Sequence, residues 1–500
     1  MLRGDGSDLG RMSSRRRLRF LAGDAVLYGT VSAIAKGASL ITFPVLARHF
    51  SVADYGLLDL YLVVAGLLAV CFTFGQDSAV VRYWYEYASP DARRQVVSQA
   101  LAAPLLAVCL ATPALWYWGA WAADSSLGIP QAISRTLLLM APFAVLSNFC
   151  QALLKWTYAR RQFLLVALGG TVAHATSLLI AVLVFDARPQ TVLLVCLGTS
   201  IAQATAGIIC VRKWLVWPHG LGVLKQMLPY ALPYGAIGVA AAFVPLLERA
   251  LTERLLGDAD LGLYAAGAKI AMLSGLLVSA FQTAWGPFSH ALLRDPSSGH
   301  TYNQVLRVFA VGICVVTLAL SLVAPALILL LASERYIGAS VVVFPLAMGL
   351  AIQATSWITE VGISLSKRSH LNLYPYLISL AMHLLAIWIL ASALGLVGVG
   401  LGVLIGYASK ALVASWLAQR AFPLPWSYRP VVLLMTATTV WGLFAGWLGE
   451  RFGPGIHAVA LAAGILATGL AGWRLLFTAR ERGAMWELVT RRLGSMIRRA

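Results

Sequence analysis

The sequence predicts an all-α integral membrane protein of about fourteen transmembrane helices, with two parallel six-helix halves followed by two C-terminal helices. Of its 500 residues, 60% are apolar and 12% are charged, and the mean hydropathy is +0.79. Soluble domains carry about 25% charged residues. Apolar runs of about 20 residues, each long enough to cross ~30 Å of hydrocarbon, recur along the chain. Lysine and arginine collect in alternate connections, as the positive-inside rule requires.

Hydropathy and turn residues divide the chain into fourteen spans. They are predicted at 24–47, 56–77, 96–119, 134–157, 163–184, 190–212, 227–247, 262–285, 305–331, 341–363, 371–393, 396–418, 430–449 and 455–477. The corresponding domains are a basic cytoplasmic tail (1–23), a first six-helix bundle (24–213), a cytoplasmic linker (214–226), a second bundle (227–418), two additional helices (429–477) and a basic cytoplasmic tail (478–500).

The basic residues give an orientation. Of the 38 Lys and Arg, 28 fall in segments on the side of the N-terminus, seven in segments on the other side, and three inside spans. This bias predicts that both termini are cytoplasmic. It also explains the formal charge of +18 through topology and contact with anionic lipid, so we expect no nucleic-acid partner.

The sequence of one short turn occurs twice in the chain. Residues 53–57 read ADYGL and residues 259–263 read ADLGL, and residues 48–57 match 254–263 at five of ten positions without a gap. The first copy links spans one and two, and the second links spans seven and eight. An even number of spans separates them, which predicts a parallel repeat with a substrate cavity between the halves. Asp54 and Asp260 are expected to cap the following helices, and the next glycine to allow close helix approach.

Three other glycines and the six cysteines are interpreted as residues that pack between helices. Gly398, Gly402 and Gly406 repeat every four residues, a spacing typical of closely packed membrane helices. The six cysteines lie in apolar runs without a C-x-x-C pair, so neither a metal site nor a disulfide framework is expected. No P-loop is present, and ATP hydrolysis and cofactors are not expected.

Several longer stretches carry a family resemblance. They are PVLARHFSVADYGLLDLYLVVAGLL followed by FGQDSAVVRYWYEY, LLERALTERLLGDADLGLYAAGAKIA at 246–271, and residues 362–402. The chain resembles bacterial polysaccharide-biosynthesis flippases, a branch of the multidrug/oligosaccharidyl-lipid/polysaccharide exporter superfamily, over roughly residues 20–420. It departs from that pattern at Glu248, where Asp is usual, and at His383, where Asn is common.

The resemblance implies a function. Such a protein moves an undecaprenyl-diphosphate-linked oligosaccharide, a repeat unit of exopolysaccharide or O-antigen, across the bacterial inner membrane by alternating access and without ATP. Its partners are then this substrate, membrane lipids, and a polysaccharide polymerase with its co-polymerase. The energy source is left open, with coupling to an ion gradient as one option and the ion unspecified.

Ionisable residues deep in spans are candidate site residues, because each is costly unless it faces water or a partner. Lys36 lies about 18 Å from either end of the first span at 1.5 Å per residue. Lys36, Lys269 and Lys410 are predicted to line the cavity and to contact the diphosphate. Secondary candidates are Arg48, Arg254, His174, His383 and Glu360.

The acidic residues set the charge of the predicted interior. None lies near the centre of a predicted span, and Asp59, Asp77 and Glu360 come closest. A cationic interior would suit an anionic diphosphate better than a cationic drug. A cation-coupled small-molecule or drug exporter of the same superfamily remains the alternative. A membrane polymerase or acyltransferase is less favoured, because no large outer loop carries a catalytic His or acid.

Overall fold

The computed structural model describes residue 37 and residues 39–87, 89–123, 130–157, 159–292, 298–366 and 368–476. Within these ranges the chain is helical and contains no β-strand. The predicted all-α fold is therefore confirmed. The first predicted span is described only in part, as helix from 39 to 49.

The helices are numbered here in chain order. They are α1 (39–49), α2 (Val52–Thr73), α3 (Gln76–Glu86), α4 (Pro90–Ala123), α5 (Gln131–Trp156), α6 (Arg160–Phe185), α7 (Pro189–Val211), α8 (Gly222–Leu256), α9 (Asp258–Leu292), α10 (Ser298–Leu331), α11 (Ser340–Thr359), α12 (373–394), α13 (396–421), α14 (Tyr428–Phe452) and α15 (Pro454–Ala471). Shorter helical turns occupy Arg212–Trp214, Glu334–Ala339, Val361–Leu365, Ser369–Asn372 and Gly472–Leu476.

Twelve continuous helices among the described residues are long and apolar enough to cross a membrane. One of them, Leu373–Ala421, has 49 residues and would be about 74 Å long if straight, more than twice a hydrocarbon core. It breaks at Gly395, whose φ of 57° and ψ of −136° are not helical. The segment therefore supplies two spans, α12 and α13, as the hydropathy pattern predicts.

The two arms of this break fold back on each other through small residues. A Cβ at Gly402 would lie 2.6 Å from Cγ1 of Ile387, a Cβ at Gly398 would meet the Leu390 carbonyl oxygen, and one at Gly406 would overlap the His383 ring. Only glycine allows this approach of α13 to α12. The predicted role of the three glycines in close packing is confirmed.

The repeated turns also meet. A Cβ at Gly56 would lie 2.5 Å from the backbone nitrogen of Gly262, and a Cβ at Gly262 would overlap the carbonyl oxygen of Val52. The caps differ from prediction. Ser51, not Asp54, is the N-cap of α2: its Oγ accepts from the Asp54 N–H at 3.1 Å and donates to Oδ2 of Asp54 at 2.6 Å. Asp260 is likewise the third residue of α9. In this first turn its carboxylate interacts favourably with the positive end of the helix dipole.

The contact between the turns predicts a selective loss of stability. Gly262→Ala should lower the free energy of unfolding by about 1–3 kcal/mol, because the new methyl group forces α2 and α9 apart. Gly275→Ala, in the same helix, is the control: no described atom lies within 4 Å of its Cβ position, and alanine should stabilise the helix by about 0.5–1 kcal/mol. Unfolding in detergent measures both changes. Equal effects would contradict the close contact.

Helix α8 determines where the charged residues lie. It spans 35 residues, about 52 Å, and extends nine residues beyond the predicted end at 247. Glu248 and Arg249 are therefore inside the helix and buried. Arg249, assigned by the sequence pattern to an outer connection, faces other helices instead.

Candidate functional site

A polar cavity of about 340 Å³ lies among α1, α2, α6, α7 and α9. This is near the lower end of volumes typical of ligand sites. Its polar lining consists of Ser39, Thr42, Tyr55, Asp59, Thr171, His174, Thr199, Ser200, Gln203 and Lys269. A set of hydroxyl, amide and imidazole groups beside one carboxylate and one ammonium is unusual inside an apolar bundle, where each exposed polar group is costly.

The α6–α7 wall of the cavity is fixed by a local change in helix winding. Residues Leu165–Gly169 form a π-turn inside α6. Such turns break the regular hydrogen-bond ladder and are frequent at functional sites. The Gln203 amide of α7 donates to the Val166 carbonyl oxygen at 3.1 Å. One turn from the π-turn, His174 Nδ1 lies 2.9 Å from the Thr199 hydroxyl oxygen. The imidazole and the amide are thus held at the cavity surface by defined partners.

Asp59 connects the cavity to a buried group of charges. Its side chain is only 5% exposed, and it lies about 10 Å from the start of α2. Arg249 Nε of α8 donates to Oδ2 of Asp59 at 2.6 Å, and Lys269 Nζ of α9 lies 3.4 Å from Oδ1. Lys269 is 22% exposed and lines the cavity. Two cations therefore share one carboxylate at the cavity wall.

A second carboxylate, that of Glu248, lies next to the Asp59–Arg249 ion pair. Its Oε2 accepts a hydrogen bond from the Tyr264 hydroxyl at 2.6 Å and is 3.9 Å from Nη1 of Arg249. Its Oε1 is 3.6 Å from Nε2 of His383, which is fully buried in α12. Arg249 thus bridges Asp59 and Glu248, and the network of five ionisable side chains joins α2, α8, α9 and α12.

This network corrects the predicted charge of the interior. The expectation of a simply cationic interior is wrong, because the carboxylates of Asp59 and Glu248 are both buried among the cations. Their partners Arg249 and Lys269 neutralise them, so the interior is mixed in charge, not simply cationic. The signal that could have located the site was the Glu248–Arg249 pair within the apolar run VPLLERALTERLL, together with Asp59 in the matching repeat.

Lys410 and Glu360, both candidates from the sequence, form a separate pair. Lys410 Nζ donates to Oε1 of Glu360 at 2.9 Å, and Lys410 is 1% exposed. The same oxygen accepts from the Ser356 hydroxyl at 2.9 Å, and the ammonium lies 4.6 Å from the centroid of the Tyr376 ring. The structure does not bring this pair to the polar cavity, whose lining does not include it.

The other candidates differ in position. Arg48, in the last turn of α1, donates from Nε to the Ala332 carbonyl oxygen at 2.9 Å and from Nη2 to that of Leu330 at 2.5 Å. It therefore caps the end of α10. Arg254 is exposed in the last turn of α8. Lys36 lies outside the described residues.

The sequence and fold have known counterparts. Residues 21–292 match the family of polysaccharide biosynthesis proteins. A relative from Haemophilus influenzae (strain ATCC 51907 / DSM 11121 / KW20 / Rd), "Lsg locus putative protein 1", is 23% identical over 277 residues, covering 54% of this chain and 66% of the relative, just under two thirds of its length.

Solved structures share the architecture. The lipid II flippase MurJ in an inward closed conformation matches with a TM-score of 0.68 and 15% identity, over 90% of this chain and 99% of MurJ. An inward-facing multidrug resistance MATE family transporter of the MOP superfamily matches with a TM-score of 0.59 and 15% identity, over 78% and 97%. A MOP superfamily transporter from Pyrococcus furiosus matches with a TM-score of 0.58 and 16% identity, over 84% and 98%.

At these identities the solved structures establish the fold alone: a multi-pass membrane protein with the architecture of flippases and transporters. The sequence match, which covers more than half of the chain, establishes the family. The chain belongs to the family of polysaccharide biosynthesis proteins.

Proposed function

We propose that this protein is a flippase that moves undecaprenyl-diphosphate-linked oligosaccharide across the bacterial inner membrane by alternating access. The observation that supports this most strongly is the polar cavity inside an apolar bundle, with Lys269 at its wall. The lipid tail can stay in the bilayer while the diphosphate and the sugars pass through the cavity. The repeat unit would serve exopolysaccharide or O-antigen synthesis and pass to a polymerase with its co-polymerase.

The polar groups of the cavity lining suit the two parts of such a head group, the diphosphate and the sugars. Lys269 is the described cation exposed at the cavity surface, and it can pair with a phosphate oxygen. Thr171, Thr199, Gln203 and His174 offer donors and acceptors suited to sugar hydroxyls. We assign Lys36 a supporting role as a second cation, from its position in the first span. Lys410, closed off by Glu360, has a structural role in this proposal.

The ion-pair network provides a way to couple the two predicted bundles. Asp59 of α2 belongs to the bundle at 24–213, whereas Arg249 and Lys269 belong to the bundle at 227–418. Their contacts join the bundles at one depth in the membrane. In alternating access the bundles rock about the site, so the Asp59 contacts would hold one conformation. The proposed orientation, with both termini cytoplasmic, follows the distribution of Lys and Arg.

Asp59 also supports a second candidate function, export of a small cationic molecule. A carboxylate that lines the cavity could bind a cation if its own partners released it. Two cations already engage Asp59, at 2.6 and 3.4 Å, so a cationic substrate would have to displace one of them. An anion at Lys269 competes only with the longer of these contacts, because Arg249 also neutralises Asp59. The flippase therefore remains the first proposal.

A deletion strain tests the proposed function in cells. Without the protein, lipid-linked oligosaccharide should accumulate on the cytoplasmic leaflet, and polymer export should fall. Complementation with the wild-type gene should restore both, while sensitivity to cationic drugs stays unchanged. Normal filling of the outer leaflet, in a strain that lacks any second flippase, would contradict the proposal. Drug sensitivity without an export defect would favour the second candidate.

A further inference from the structure

The contact between Glu248 and His383 contains two buried polar atoms without hydrogen-bond partners. They are Oε1 of Glu248 and Nε2 of His383, 3.6 Å apart. Glu248 is 5% exposed and His383 is fully buried. A buried polar atom without a partner usually costs about 1–3 kcal/mol. Two such atoms facing each other therefore require an explanation.

The hydrogen bonds of the imidazole determine what Nε2 can do. Nδ1 lies 2.8 Å from the carbonyl oxygen of Ser379, an atom that can only accept. The Ser379 hydroxyl also lies 3.3 Å from Nδ1, but it donates its hydrogen to the Gly406 carbonyl oxygen at 3.0 Å. Nδ1 therefore carries a hydrogen, and in the neutral ring Nε2 is an acceptor. An ionised Glu248 also presents an acceptor, so two lone pairs face each other. One added proton converts this contact into a charge-assisted N–H···O bond between imidazolium and carboxylate.

We propose that Glu248 and His383 together form a binding site for one proton, and that this proton is the ion coupled to transport. The coupling part rests on the proposed function, whereas the proton site itself does not. Close packing around the His383 ring restricts its movement. Gly406 of α13 lies against the His383 ring, and Tyr407 packs edge-on to it with a centroid distance of 4.9 Å.

The charges around the pair determine the effect of the proton. Those in contact with Glu248 or His383 from the packed helices are Arg249 of α8, Tyr264 of α9 and Tyr407 of α13. Asp59 of α2 and Lys269 of α9 are connected to them through Arg249. With both acids ionised and the imidazole and tyrosines neutral, the two cations and two carboxylates sum to zero. The added proton gives the group one positive charge, which favours an anion in the adjoining cavity.

A short chain of ion pairs links the proton to the cavity. Arg249 divides its interactions between Asp59 at 2.6 Å and Glu248 at 3.9 Å. When the imidazolium pairs with Glu248, the hold of that carboxylate on Arg249 weakens. Arg249 then neutralises Asp59 more fully, and Lys269 becomes freer to turn its ammonium toward an anion in the cavity. Binding of the proton and of an anionic head group should thus promote each other.

Nitrogen NMR of the purified full-length protein, labelled at histidine and held in nanodiscs, tests the proton site directly. The His383 signals are identified by their loss in His383→Gln. At neutral pH the wild-type Nε2 should carry a proton. In Glu248→Gln the same nitrogen should be unprotonated, because the amide can accept from Tyr264 and donate to Nε2. This variant keeps the hydrogen bonds to Tyr264 and His383, and Arg249 keeps its 2.6 Å contact with Asp59, so it should fold.

His174 is the matched control, since its partner is the Thr199 hydroxyl and not an acid. Its protonation should be the same in the wild type and in Glu248→Gln. A second variant, Tyr264→Phe, retains the Glu248 carboxylate and should retain the proton on His383. An unprotonated Nε2 in the wild type, or the same state of Nε2 with and without the Glu248 carboxylate, would overturn the proposal. The measurement needs no substrate, so a negative flipping result would reject the function while leaving this result standing.

Discussion

Replacing Arg249 with alanine is expected to lower the free energy of unfolding by about 3–5 kcal/mol, because buried Glu248 loses its cation and buried Asp59 loses the closer of its two. Arg249 is 9% exposed and bridges Asp59 and Glu248. Chemical unfolding in detergent and the amount of inserted protein both measure the loss. Arg254→Ala is the matched control, since this arginine is exposed in the last turn of the same helix. A change within about 0.5 kcal/mol is expected there.

The partner residue makes this prediction specific. In the double variant Arg249→Ala with Asp59→Ala, removal of the acid should recover part of the lost stability, since the buried carboxylate that lost its closest partner is gone. The cycle of single and double variants then gives an interaction energy well above 0.5 kcal/mol. Additive effects of the two changes would show that the Asp59–Arg249 contact does not hold α2 to α8.

The second large effect concerns the cavity cation. Lys269→Gln should reduce the rate of substrate flipping per inserted molecule by roughly 10- to 100-fold, the equivalent of one charge-assisted hydrogen bond. Lys269→Arg should retain most of the activity, because it keeps a cation at the cavity wall. Protein amounts should stay near the wild-type value, since Arg249 still neutralises Asp59 at 2.6 Å.

The control for this series is Lys225→Gln, at an exposed position near the start of α8, away from the cavity. It should flip substrate at the wild-type rate. If Lys269→Gln also flips at that rate, Lys269 has no role in recognising the head group. If the amount of folded protein falls as far as the total flipping rate does, Lys269 is instead a structural residue.

The architecture could largely be predicted from the sequence because it depends on local properties. Apolar runs of sufficient length mark the spans, and the glycine spacing in α13 marks its close contact with α12. The break at Gly395 also follows, since 49 residues cannot cross a bilayer once. These features need no knowledge of which distant residues meet.

The site could be predicted only in part. Lys269 and His174 were found as ionisable residues within spans, and both line the cavity. Glu248 and Arg249 were missed as site residues because hydropathy treats every charge as unpaired and ends the predicted span at 247, just before them. Asp59 was missed because it lies near the start of its predicted span, 56–77, where a charged residue is commonly solvated. Here Arg249 and Asp59 neutralise each other across 190 positions of sequence. The fold brings these two side chains together, and the hydropathy of either segment does not indicate their ion pair.

The central claim is tested most directly by flipping in proteoliposomes made with the purified wild-type protein. Undecaprenyl-diphosphate-linked oligosaccharide, labelled on its sugar, is placed in both leaflets, and a membrane-impermeant glycosidase reports the fraction exposed outside over time. We expect the protected fraction to become accessible with the wild-type protein and to do so roughly 10- to 100-fold more slowly with Lys269→Gln. Protection that persists in wild-type vesicles as in protein-free vesicles, with the protein folded and a proton gradient imposed, would contradict the account.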